Sequence, residues 1–538
     1  MRRWRLLASV LAVVVVAGGS AVTAISASAG VSAQSGGGFT PGWARHNQLS
    51  GAAQTLAHIL ASPRLASRRA AAASGGCPAE RSPSGNVMVN CLAEDGQAPN
   101  NTQSETSEAV IGKTVVVGFN DSLVCCKQLN FTGYSVSRNG GRSFIDKGNV
   151  PFQPDVQPLG DPSVAAGADG SFYFASLAVG GLKANSHSLI SFYRMAPGQS
   201  RFHLVSVPVD VGSQAKRVAD KEYLAIGRDA NGHQHFYITW TLFTTAVPSV
   251  IMLTESTDGV HWHTHPVSAA NGCSQGSNPV PAGGTVYVSW EQMVQAECTA
   301  QNPNPHQMEM MATVHVATGS VQRRTVIAPV LGSGDAIVNC NGPTDFRNVI
   351  QTGPGHDVRL FELPSTTIDS NGVLYAAWND RPGGIGGPPS NATRIFLSFS
   401  RDSNRTWSKP VVISGPVSNR VVRDRVQPWI TVGGGALHAM WYERVGNGVR
   451  TDSETLSLAT ASAGPKPGAE VGVSTVRFPI IQTNPNQDPV ISNCYMGDYN
   501  NVAFGNGTAY ISWGDNRNVV KTTLGVEHQP DVFLARVR

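Results

Sequence analysis

Charge is the scarcest property of this 538-residue chain: Asp, Glu, Lys and Arg together make up 14% of it, against about a quarter in ordinary soluble domains. The net charge is +4. Beyond the first residues there is no long basic run, which argues against a nucleic-acid partner. No Cys-x-x-Cys pair occurs to suggest zinc, and no Walker or dinucleotide-binding glycine pattern is present. Long helical patterns are missing too. The one segment with helical periodicity is "GAAQTLAHILASPRLASRRAAAAS", with Ala53, Leu56, Ile59 and Leu60 on one face.

What the chain has instead is turn chemistry. It carries 57 Gly and 33 Pro, which punctuate a β-rich chain and break long helices. The start, "MRRWRLLASVLAVVVVAGGSAVTAISASAG", places Arg2, Arg3 and Arg5 before an apolar run and a small-residue cleavage site at Ala27, Ser28 and Ala29. This pattern predicts a signal peptide over residues 1–29 and a secreted protein with no membrane attachment after cleavage. All 8 cysteines lie beyond that site. An even number in an exported chain favours disulfides, with Cys77–Cys91 and Cys273–Cys298 as local pairs and Cys494 within reach of Cys125 or Cys126.

The stretch "LSFSRDSNRTWSKPV" sets Ser400, Asp402, Thr406 and Trp407 in one turn between two extended apolar runs. Asp402 can accept from backbone N–H groups of its own turn while Trp407 buries its ring beneath it, so the segment reads as a self-capping β-hairpin. "YSVSRNGGRSF" and "LTESTDGVHW" repeat the arrangement through Ser137 and Asn139, and through Ser256, Asp258 and Trp262. The pattern resembles the Asp-box, or BNR, repeat of the sialidase-like β-propellers, Ser-x-Asp-x-Gly-x-Thr-Trp; the copy at 400–407 departs in Asn404. A second signature, a turn leading into a strand that ends in an aromatic and often an acid, occurs seven times: "GKTVVVGFND", "DGSFYFASL", "GHQHFYITWT", "GGTVYVSWEQ", "NGVLYAAWND", "GGALHAMWYE" and "GNGTAYISWGD".

These repeats predict an all-β fold, a β-propeller of four-stranded antiparallel blades, seven in number with six as the alternative. It would occupy residues 106–538, behind a linker or pro-segment with one helix at 30–105. "NVMVNCL", at 86–92, is expected to complete the last blade and hide an edge.

Strands that run up and down a blade sort their loops onto two faces. The Asp-box turns fall on one face and are structural. The other gathers the polar residues: Asp380 and Arg381, Glu443 and Arg444, Asp515 and Arg517, Arg425, Asp161, Asp498 and Tyr499. The resemblance implies a secreted, exo-acting glycosidase, in which arginines hold an acidic sugar, a tyrosine attacks and an aspartate serves as acid and base. On that expectation Asp380, Asp515, Tyr499 and Glu443 are the catalytic candidates, with Tyr442 as a second tyrosine. Arg381, Arg425, Arg517, Arg444, Asp161 and Asp498 are the substrate-binding ones. The expected partner is an extracellular glycan or glycoprotein, bound by a monomer without cofactor or metal. A non-catalytic propeller that binds carbohydrate or protein, or an assembly scaffold, is the alternative. "HWHTH" reads as the solvent face of an outer strand.

Overall fold

The computed structural model describes most of residues 49–538. Outside that description lie 1–48, 62–75 and several loop segments, chiefly 125–128, 341–345, 352–356, 387–391, 416–423 and 480–487. The signal peptide and the Cys125–Cys126 pair therefore fall outside the described residues. Apart from a helix at Gly51–Ala61 and one helical turn at Leu92–Asp95, the described chain consists of strands and the turns between them.

Seven antiparallel sheets succeed one another in chain order. Their first strands are Gln103–Ile111, Gln157–Ala166, Arg217–Arg228, Ser274–Ala282, Ser365–Ile368, Arg425–Gly433 and Asn501–Gly505. Each lies beside the next, and the seventh touches the first, so the sheets form a closed ring of propeller blades. Between the fourth and fifth blades the chain adds a separate three-stranded sheet, Ala336–Asn339, Phe346–Gln351 and Asp357–Arg359.

Neighbouring blades are joined by a recurring bond. A first-strand serine accepts from a backbone N–H of the next blade: Ser107 and Ser163, each where pairing resumes after a bulge, from Val164 and Leu224, and Ser365, at the start of its strand, from Ile430, each at 2.9 Å. Asn278 plays this part towards Thr366 at 3.3 Å. The seam between the seventh blade and the first uses Glu108, whose carboxyl accepts from Ala503 N–H at 3.0 Å and pairs with the Ser512 hydroxyl. Apolar packing fills the space between blades, where Trp290, Trp378, Trp441 and Trp513 of the aromatic signatures are fully buried.

The C-terminal chain supplies three strands to the last blade. The fourth is Val87–Met88, paired with Leu534 and Phe533. Ten residues earlier Cys77–Pro78 joins the outer edge of the first blade, and Cys77–Cys91 links the two attachments. The N-terminal chain thus covers both edges that meet at the seam.

The three self-capping turns each join the third and fourth strands of a blade. Asp402 Oδ1 accepts from the Ser400 hydroxyl at 2.9 Å and from the N–H groups of Arg405 and Thr406 at 3.0 and 2.9 Å, while Trp407 Nε1 donates to Asn404 Oδ1 at 2.8 Å. Asp258 and Asn139 close their turns in the same way. Asn404 is tolerated in place of Gly because, at φ 66°, its side chain is used: Nδ2 donates to the Met311 carbonyl and to Thr313 of the preceding blade, both at 3.1 Å. Cys273 pairs with Cys298. Cys494 pairs with Cys340 instead of Cys125 or Cys126, because the inserted sheet passes beside the entry to the last blade.

Candidate functional site

The first strands carry a second repeated device, at the end opposite the turns. Pairing slips between Ser104 and Ser107, Gly160 and Ser163, Asp220 and Tyr223, Gln275 and Asn278, and Val426 and Trp429. Inside each slip one residue is left-handed: Glu105 (φ 51°), Asp161 (50°), Lys221 (48°), Gly276 (57°) and Gln427 (53°). Such backbone is rare outside glycine, and bulges of this kind re-aim a side chain. Three of the four side chains are charged.

Glu105, Asp161 and Lys221 meet Asp498, from the entry to the seventh blade, and Arg359, delivered by the inserted sheet. Arg359 grips Asp498 with both prongs, Nε to Oδ1 at 2.8 Å and Nη2 to Oδ2 at 2.7 Å, and Lys221 Nζ reaches the same Oδ2 at 2.7 Å. All three side chains have 0% exposure. Asp498 N–H donates to Glu105 Oε1 at 2.9 Å. Asn120 ties two blades to the cluster, since its Nδ2 donates to Glu105 Oε2 at 2.8 Å and its Oδ1 accepts from Asp161 N–H at 2.8 Å. Aromatic faces line the cations: Arg359 lies 4.9 Å from the Tyr495 ring centre and Lys221 5.5 Å from that of Tyr499.

Burial and charge divide these acids. Burial pushes the Asp498 carboxyl upward, but Arg359 and Lys221 outweigh it and hold the group at about 2. Asp161 is driven well above the usual carboxylate range by burial and then by the negative charge of Glu105. Neither oxygen of its carboxyl has a hydrogen-bond donor among the described residues, and the nearby Glu105 carboxyl is itself raised by burial and by Asp498. Neighbouring buried carboxyls that raise one another favour the form in which one of them keeps its proton. Tyr499 is also raised well above its ordinary value, by burial first and then by Glu105 and Asp161, and stands as a neutral phenol.

Of the ten residues expected from sequence, the structure brings Asp161, Asp498 and Tyr499 together at this centre. The other seven are engaged elsewhere, within their own blades or with the chain around the inserted sheet. Asp380 accepts from Leu331 and Arg381 N–H groups at 3.1 and 2.8 Å, and burial lifts its carboxyl to about 6. Asp515 is held by Arg517 of its own blade at 2.5 Å and by Trp513 Nε1 at 2.9 Å; it shares no partner with Asp380. Arg381 and Arg444 both reach Asp335, at 2.9 and 2.7 Å. Glu443 sits between Arg425 at 3.3 Å and Arg450 at 2.6 Å. Tyr442 donates to the Gly514 carbonyl at 2.6 Å. His263 and His265 fall on an outer strand, where His265 approaches Glu255 at 3.4 Å.

Sequence reasoning passed over Lys221, Glu105 and Tyr495. Lys221 stands in "ADKEY" at 219–223, and Glu105 at the edge of the linker. Their common signal is position, two residues before the first strand resumes pairing, which becomes visible once the blade entries are aligned on their signature strands.

The cluster is closed from outside by the Gly51–Ala61 helix. Ser50 caps it, accepting from Ala53 N–H at 3.1 Å, and donates to Asp220 through its N–H (2.9 Å) and its hydroxyl. Arg359 Nη1 donates to the Gln54 side-chain oxygen. A Cβ on Gly51 would stand 2.4 Å from the Tyr495 ring. The helix's apolar face packs against Phe131, Leu159, Leu177, Val218 and Trp240.

No protein-family model matches the chain, and no curated protein matches it. Solved structures do. The family GH93 α-L-arabinofuranosidase of Fusarium graminearum with arabinobiose aligns at TM-score 0.41 and 9% identity, covering 66% of this chain and 91% of that one. The Penicillium chrysogenum α-L-arabinanase aligns at 0.39 and 8%, covering 71% and 98%. The Trypanosoma rangeli sialidase with the inhibitor DANA aligns at 0.37 and 10%, covering 69% and 58%. The likeness is one of fold.

Proposed function

We propose that this is an exported glycoside hydrolase acting on extracellular glycans, with its chemistry at the propeller axis. The observation that carries the reading is the division among the axial acids: Asp498 is held between Arg359 and Lys221, while the neighbouring Glu105 and Asp161 carboxyls are buried without a cation bonded to them among the described residues and are both raised. Cleaving a glycosidic bond needs a carboxylic acid to protonate the leaving oxygen and a carboxylate to assist water or the sugar cation. A pair that holds one proton can give it and take it back. Asp498, Arg359 and Lys221 then act as a preorganised frame that orients a polar substrate. Three disulfides among the described residues support an oxidising, extracellular setting.

The test is incubation with a panel of sialylated, other acidic and arabinose-bearing glycans, with products read by mass spectrometry. The wild-type protein, assayed both intact and after removal of the helix that closes the cluster, should release a terminal sugar in at least one of the two forms, and Asp161→Asn should abolish release in that form while the circular dichroism spectrum stays unchanged. Equal turnover by wild type and Asp161→Asn would remove the axis as the catalytic centre.

The complete burial of the ions favours a second reading, in which they brace the ring of a non-catalytic glycan- or protein-binding propeller. Glycan-array binding without product, under conditions where the axis is open, would select it.

A further inference from the structure

The helix Gly51–Ala61 differs from a structural brace in what it offers the cluster. Its buried apolar face is ordinary packing, but its first turn adds polar groups of the kind a bound ligand would bring: a hydroxyl to Asp220, a carbonyl oxygen to Arg359 and, at Gly51, a flat backbone against the Tyr495 ring. The N-terminal end of the helix, the positive pole of its dipole, faces the Asp220 carboxylate. A narrow gap runs along the helix, between Thr55 on one side and Thr102, Asn120, Asp121, Ser122 and Tyr495 on the other.

We propose that Leu49–Ala61 is an internal occupant of the axial site, a tethered inhibitor that fills the subsite for a polyhydroxylated ligand. When it leaves, Asp220 is free to accept from a ligand hydroxyl, Arg359 to donate to a ligand ring or carbonyl oxygen, and Tyr495 to stack on a sugar face. The identity of the ligand class rests on the glycosidase reading; the occupancy of the site by the helix does not.

Two observations make removal physically reasonable. The segment has no partner strand, and its own contacts are one apolar face and one polar turn. The propeller's closure uses chain further on, at Cys77–Cys91 and Val87–Met88, so a cut between Ala61 and Cys77 frees the helix and leaves the seam intact.

The experiment places a specific protease site in residues 62–74 of the full-length protein and compares cut with uncut chains. The cut protein should keep its strand circular dichroism and release, on gel filtration, the N-terminal fragment that carries residues 49–61. It should also gain at least tenfold in affinity for immobilised glycans, and a synthetic 49–61 peptide should compete that binding away. Gly51→Leu, which drives a side chain into the Tyr495 ring, should give part of the gain without cutting, and a peptide carrying Ser50→Ala and Gln54→Ala should compete at least tenfold less well. Gain of peptide-competed binding without sugar release upholds the inhibitor and sinks the hydrolase. Departure of the helix with no change in binding overturns the proposal, as does unfolding of the propeller on cutting or a helix that stays bound after cutting and in Gly51→Leu.

Discussion

Two carboxylate-bearing devices recur around this ring, and they solve opposite problems. At the third-to-fourth strand turns, Asp402 is half-buried; burial raises it, but the Thr406 hydroxyl, the Thr406 N–H and the Ser400 hydroxyl together outweigh that and hold it at about 2. At the first-strand bulges, Glu105 and Asp161 are fully buried and raised, Glu105 with donors only from Asn120 and Asp498 and Asp161 with none on its carboxyl among the described residues. The turn satisfies its acid within eight residues of chain. The bulge cannot, and depends on Lys221, Arg359 and Asn120 arriving from elsewhere. The same residue type is therefore a local fastener on one face and a buried acid of raised proton affinity on the other, decided by whether its partners are neighbours in sequence.

The comparison breaks most severely at Asp498. Asp498→Asn leaves Arg359 and Lys221 buried without a carboxylate and should cost about 3–5 kcal/mol, read as a lower urea midpoint; a loss below about 1 kcal/mol would mean that water reaches the axis. The joints between blades come next. Ser365→Ala strips the acceptor from the buried Ile430 N–H and should cost about 1–3 kcal/mol, with Ser365→Thr recovering part of it.

Acidity sharpens the contrast. Glu108 at the ring's seam is lifted to about 8, chiefly by burial. A carboxyl whose folded value lies above its unfolded one of 4.5 gives stability that is complete below the unfolded value and is lost as the pH rises through the folded one. Wild-type stability should fall between those limits, and Glu108→Gln, which mimics the protonated acid, should flatten the slope by on the order of 1–2 kcal/mol. An unaltered slope would assign the pH dependence to other groups. Asp402 has the opposite sign: its contribution is present above the unfolded value and disappears only as the pH drops towards 2. Asp402→Ala should cost about 1 kcal/mol near neutrality and progressively less in acid, the smallest of these effects because the turn stays wet.

Legibility follows the same division. The turns could be read from the sequence because every donor and acceptor lies between Ser400 and Trp407, and the blade signatures because alternation along one strand reports its burial. The sorting of residues onto two faces placed Asp161, Asp498 and Tyr499 on the chemical one. It could not separate Asp380, at the end of its strand, or Asp515, at a slip inside a long strand of the last blade, from residues that reach the axis, since one step along a bulged strand redirects a side chain. Nor could spacing show that the helix at 51–61 reaches into the centre, or that Arg359 arrives on an inserted sheet.

Composition, turn chemistry and strand period were enough to determine the repeating architecture, because each of those signals is an interaction between residues a few positions apart. The buried grouping of Glu105, Asp161, Lys221, Arg359 and Asp498 was decided by tertiary structure alone. Its members are brought together only when the ring closes and the bulges turn their backbones left-handed, and their proton affinities exist only after water has been excluded from between them.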